Sequence, residues 1–88
     1  MKTVLVVDDE PALRAAVRAI LDDEGYGVLE APHGGAMLEL LAEERADLVL
    51  LDVMMPGGDG RDAYRELCAR ADLPDVPVVM MSAAVRPD

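Results

Sequence analysis

Four short apolar runs, "TVLVV" at residues 3–7, "YGVLEA" at 26–31, "DLVLLD" at 47–52 and "VPVVMMS" at 76–82, are separated by three stretches whose apolar residues recur at helical spacing. That alternation constrains the fold more than any other feature. Aliphatic runs without polar alternation fit strands buried on both faces, and strands alternating with amphipathic helices imply a parallel sheet with right-handed crossovers. The chain therefore reads βαβαβαβ, an α/β doubly wound parallel sheet with helices on both of its faces.

Local signals place the helices. Pro11 suits the first turn of a helix that carries Leu13, Val17, Ile20 and Leu21 as one apolar stripe to about Glu24, where Gly25 stops it. After the turn "PHGG", a second helix is expected over "AMLELLAEERA", with Met37, Leu40 and Leu41 facing inward. A third is expected at residues 60–71, with Asp59 as its N-cap and Ala63, Leu67 and Ala71 on its inner face. At 88 residues there is room for one small domain, residues 1–88, and the absence of Phe and Trp leaves its core to Leu, Val, Ala, Met and Ile.

The formal net charge is −10, from 18 acidic against 8 basic residues. Such a surface argues against direct binding to nucleic acid or to an anionic membrane, and favours cations or proteins with basic patches. No apolar run approaches the length of a bilayer span, and the opening "MKTVLVVDDE" reaches acids too soon for a signal peptide, so a cytoplasmic protein is expected. Cys68, the single cysteine, is expected to be a reduced, packed thiol, and His33, the single histidine, an exposed turn residue.

In an open doubly wound sheet, ligands bind at the carboxyl ends of the strands, where strand order reverses. The first run ends in Asp8 and Asp9, the third in Asp52 and the fourth in Ser82. Should the first and third strands be neighbours, three carboxylates converge, and like charges at that range destabilise one another unless a cation intervenes. Hard oxygen ligands suit Mg2+, which accepts one or two carboxylates and leaves positions for phosphate oxygens; Mn2+ or Ca2+ would also bind. A structural alternative stays open, in which Asp8, Asp9 and Glu10 cap the strand and complement the dipole of the first helix.

The segments that carry these acids resemble those of the response regulator receiver domain of two-component signalling, a CheY-like family. "VLVVDDEP" resembles its first strand and acidic pair, "LEAPHGGAMLELL" its second strand and turn, "DLVLLDVMMPGGDG" its phosphorylation segment and "PVVMMSA" its fourth strand. The resemblance implies strand order 2-1-3-4. It also implies that Asp52 accepts a phosphoryl group from a sensor histidine kinase or phosphotransfer protein, and that Asp8, Asp9, Asp52 and the backbone carbonyl of Met54 hold Mg2+. Ser82 would bond the phosphoryl group through its hydroxyl, and Pro56 and Gly60 would shape the site loop. The chemistry implied is at most self-catalysed transfer to, and hydrolysis from, the protein's own aspartate.

The sequence also departs from the family pattern. It lacks the fifth strand, with its lysine, and the last helices, and its one lysine, Lys2, precedes the first strand. A receiver domain incomplete at its C-terminus is expected, with the fourth strand as an open edge suited to pairing with a second copy. A phosphorylation-impaired interaction or oligomerisation module is thus the alternative reading. A phosphatase with an aspartyl intermediate is disfavoured, because "VVDDEP" lacks the Asp-x-Asp arrangement that such a nucleophile would use.

Overall fold

A computed structural model describes residues 1–53 and 60–81 of the protein. Its elements are β1 (Thr3–Val7), α1 (Pro11–Asp23), β2 (Gly27–Ala31), α2 (Gly34–Glu43), β3 (Leu48–Asp52), α3 (Gly60–Ala69) and β4 (Val78–Met81). All neighbouring strands pair in parallel, in the order β2-β1-β3-β4. The doubly wound sheet and its order match the expectation, and β1 and β3 are neighbours.

Side chains alternate across each strand, so register decides which residues share a face. Leu5 pairs with Leu29 on one side and Val49 on the other, and Val7 with Ala31 and Leu51. These residues form one core with Met37, Leu38 and Leu41 of α2, Leu67 of α3, and Leu73. On the opposite face Val4 and Val6 are equally buried, and α1 lies over them. The polar marker of that face is Glu30, in register with Val6 and bridged to Arg14 and Arg18 of α1 at 3.0 and 2.7 Å.

Those two guanidiniums hold the Glu30 carboxyl below its ordinary range, chiefly through the hydrogen bond from Arg18, against burial, which pulls the other way. The carboxyl in turn raises Arg18. A charged pair at this place ties α1 to the sheet where no residue of the helix is fully buried.

Two apolar expectations fail on α1 and α3. Ile20, expected within the inward stripe, is 65% exposed, although α1 rests on β1 and β2. Cys68, expected to be packed, is exposed. The buried face of α3 is carried by Gly60 and Leu67, and Cys68 follows Leu67 round to the solvent side. There its thiol neighbours Tyr64 and is the main cause of that phenol's raised pKa.

Boundaries shift by a few residues. α2 starts at Gly34, two residues before the expected Ala36, because the His33 imidazole caps it: Nδ1 accepts a hydrogen bond from the Ala36 amide at 3.1 Å. His33 is exposed, as expected, but its structural use was not read from the sequence. α3 ends at Ala69, so Ala71 falls outside it and is exposed. Gly25, the expected stop of α1, adopts φ +90°, a conformation that a side chain would strain. Asp59, the expected cap of α3, lies outside the described residues.

Candidate functional site

Strand register brings the acids together. Because Val7 of β1 pairs with Leu51 of β3, the next residue along each strand, Asp8 and Asp52, emerges beside the other at the carboxyl edge of the sheet. Asp9 follows Asp8 in the connection to α1. One carboxylate oxygen from each of Asp8, Asp9 and Asp52 lies within 4.8 Å of the others.

The electrostatics of this cluster are unusual for a small acidic chain. Asp8 is 1% exposed and Asp52 4%, whereas Asp9 is open to solvent. Burying a carboxylate costs several kcal/mol unless charge or hydrogen bonds compensate it. For Asp8 the backbone supplies part of that compensation, since its Oδ1 accepts the Glu10 amide hydrogen at 2.9 Å. Its own amide donates to the Ala31 carbonyl at 3.1 Å, which continues the β1 to β2 ladder by one residue. Its carbonyl accepts from the Arg14 guanidinium at 2.6 Å. Every bond that Asp8 can make with its main chain is thus used to hold it at the strand end.

Three hard oxygens converging from a buried edge form a donor set that suits a small divalent cation, with coordination positions left over for water or phosphate oxygens. Mg2+ fits this set on ligand chemistry, and Asp8, Asp9 and Asp52 are the residues that would hold it.

Gly60 packs against the end of β3. Its amide donates to the Val53 carbonyl at 3.3 Å, so the first residue of α3 returns to the end of β3. A Cβ on Gly60 would fall on the Asp52 carbonyl oxygen and 2.9 Å from the Val53 Cα. The backbone that carries Asp52 is therefore packed directly against a residue that cannot bear a side chain.

The structure thus assembles Asp8, Asp9 and Asp52 and sets Gly60 against the backbone of Asp52 and Val53. Met54, Pro56 and Ser82 lie outside the described residues. Arg14 and Glu30 were missed by sequence reasoning, although Glu30 is a single charge in the otherwise apolar "GVLEA" and Arg14 stands at helical spacing from Val17 and Leu21 of the apolar stripe. That pattern is the signal that could have found them.

Comparison with known proteins gives the family and the fold. Residues 4–88 match the family described as the response regulator receiver domain. The chain is 37% identical over 82 residues to protein PilH of Pseudomonas aeruginosa, covering 93% of this chain and 68% of PilH. It is 42% identical over 80 residues to the response regulator MprA of Mycolicibacterium vanbaalenii, covering 91% of this chain but 34% of MprA. The chain therefore spans about two thirds of one relative and about one third of the other.

Among solved structures, the response regulator TrrA of Thermotoga maritima in complex with Mg2+-BeF superposes with a TM-score of 0.84 at 35% identity, covering 94% of this chain and 70% of TrrA. TrrA in complex with the histidine kinase ThkA superposes with a TM-score of 0.85 at 33% identity, covering 99% of this chain and 73% of that one. No helix among the described residues is long and apolar enough to cross a membrane. With the strand order, the three converging aspartates and a family match that runs almost the whole length, the chain belongs to the response regulator receiver domain family.

Proposed function

We propose that residues 1–88 act as a phosphoacceptor in the cytoplasm: Asp52 takes a phosphoryl group from the phosphohistidine of a sensor histidine kinase or phosphotransfer protein, with Mg2+ held by Asp8, Asp9 and Asp52. The observation that carries this reading is the convergence of the three carboxylates, two of them buried, at the carboxyl edge of the sheet. The complexes of TrrA with Mg2+-BeF and with a histidine kinase support it.

Bound Mg2+ supplies the positive charge that neutralises the phosphoryl oxygens and permits a carboxylate to approach them. Asp52 provides the nucleophilic oxygen. A bond forms between that oxygen and phosphorus as the bond between phosphorus and the donor imidazole nitrogen breaks, and the imidazole nitrogen takes up a proton. Asp8 and Asp9 orient the site, Asp8 from a position fixed by hydrogen bonds at its amide, its carbonyl and its carboxylate. The remaining roles go to the Met54 carbonyl as a further metal ligand, to the Ser82 hydroxyl as a donor to the phosphoryl group, and to Pro56 and Gly60 as shapers of the loop.

Incubation with acetyl phosphate and Mg2+ is expected to add the mass of one phosphoryl group to the wild type and none to Asp52→Asn. Equal labelling of the two proteins would overturn the assignment of the nucleophile. A chelator should abolish labelling of the wild type.

A second reading, self-association through β4, is favoured by one observation. Val79 and Met80, adjacent on the outermost described strand and on opposite faces of it, are 49% and 40% exposed. Sedimentation is expected to show association that grows with concentration and with salt, which screens the net charge of −10. A monomer throughout would remove this reading and leave the first untouched.

A further inference from the structure

Arg14 stands one turn into α1 with its side chain only 17% exposed, although it belongs to neither the core nor the acidic cluster. Its guanidinium makes two bonds at once. One nitrogen donates to the Asp8 carbonyl oxygen at 2.6 Å, and Nε donates to Glu30 Oε1 on β2 at 3.0 Å. A planar fork with several fixed donors is the group that can hold a main-chain oxygen and a carboxylate together in one geometry.

The atom it holds matters. The Asp8 carbonyl belongs to the peptide that joins Asp8 to Asp9, so its orientation sets the direction in which both side chains leave the backbone. Asp8 and Asp9 supply two of the three converging carboxylates. Glu30, for its part, is anchored by the β1 to β2 ladder, where it pairs with Val6, and by a second arginine, Arg18, at 2.7 Å. The fork thus transfers the rigidity of the sheet to the peptide between two of the three acids.

We propose that Arg14 is a positioning residue for the acidic site, holding the Asp8 to Asp9 peptide through its bridge to Glu30 so that the carboxylates meet at a single cation. The proposal rests on the metal reading above and assigns to that site a residue that supplies no ligand atom. It also makes a prediction of sign. If Arg14 acted only as a nearby positive charge, its removal would deepen the negative potential and tighten cation binding. If it positions the carboxylates, its removal weakens binding, as loss of an outer partner of a metal ligand does by roughly 10- to 100-fold.

Calorimetric titration of Mg2+ into the wild type, Arg14→Met, Arg14→Lys and Arg18→Met separates these outcomes. Methionine keeps the apolar stem, and lysine keeps the charge without the fork. Arg18→Met removes the other charge on Glu30 but no bond to Asp8. Binding about 10-fold weaker or more for Arg14→Met, weakened binding for Arg14→Lys and near wild-type binding for Arg18→Met are expected.

In the metal-free protein, hydrogen exchange at the Glu10 amide, which donates to Asp8 Oδ1, should accelerate in Arg14→Met and not in Arg18→Met. Should Arg14→Met fail to fold by circular dichroism, Arg14→Lys carries the test on the same two readouts. Binding by the Arg14 variants as tight as the wild type or tighter overturns the positioning role and leaves the metal site standing. Failure of the wild type itself to bind Mg2+ saturably overturns both.

Discussion

Gly60→Ala is expected to destabilise the protein by about 3 kcal/mol, the upper part of the range for overpacking a closed site, and to reduce phosphoryl acceptance at Asp52 in the molecules that remain folded. The reason is geometric. The methyl group would sit on the Asp52 carbonyl oxygen and 2.9 Å from the Val53 Cα, and both are backbone atoms that cannot swing aside as a side chain could. Relief requires α3 to move away from the end of β3, which also strains the Gly60 amide bond to the Val53 carbonyl. Urea denaturation measures the loss of stability. A variant with an unchanged midpoint would show that the approach of α3 to Asp52 is not a requirement of the fold.

The second large effect is a gain. Mg2+ at about 100 times its dissociation constant should stabilise the wild type by about 2.7 kcal/mol, because a ligand that binds only the folded chain shifts the equilibrium by mass action. Removing the cation with a chelator should reverse the gain in full. Asp9→Asn is the informative variant, since Asp9 is exposed and its loss disturbs no core packing. It should fold, and it should lose most of the Mg2+ response, because one of three carboxylate ligands has gone. Thermal denaturation with and without Mg2+ reads both results, and an equal gain in the two proteins would contradict the three-carboxylate site.

These effects come from a part of the molecule that was legible in the sequence for a physical reason. A strand buried on both faces tolerates no charge in its interior, so the acids that end "TVLVV" and "DLVLL" mark the point at which each strand leaves the core. Parallel pairing then placed Asp8 and Asp52 side by side through the single register of Val7 with Leu51. Strand order was legible only through the family resemblance, since alternating apolar runs are compatible with more than one doubly wound order.

What stayed hidden depends on distances that periodicity does not carry. Ile20 shares the spacing of Leu13, Val17 and Leu21, but spacing does not say how much of the sheet lies beneath a helix, and α1 leaves Ile20 65% exposed. Cys68 follows the buried Leu67 by one residue, a step that takes a helical side chain to another face. The His33 cap depends on the imidazole turning back to the Ala36 amide, a rotamer choice. The bridge from Arg14 to Glu30 spans 16 residues of sequence and joins two elements whose mutual placement follows from the sheet.

Among the three clustered carboxylates, Asp52 is the one expected to take the phosphoryl group. Reduction of the acetyl phosphate-treated protein with borohydride converts an aspartyl phosphate to homoserine, and peptide sequencing by mass spectrometry then locates it. The expected result is homoserine at residue 52 alone, dependent on Mg2+; homoserine at residue 8 or 9, or at none of the three, would contradict the account.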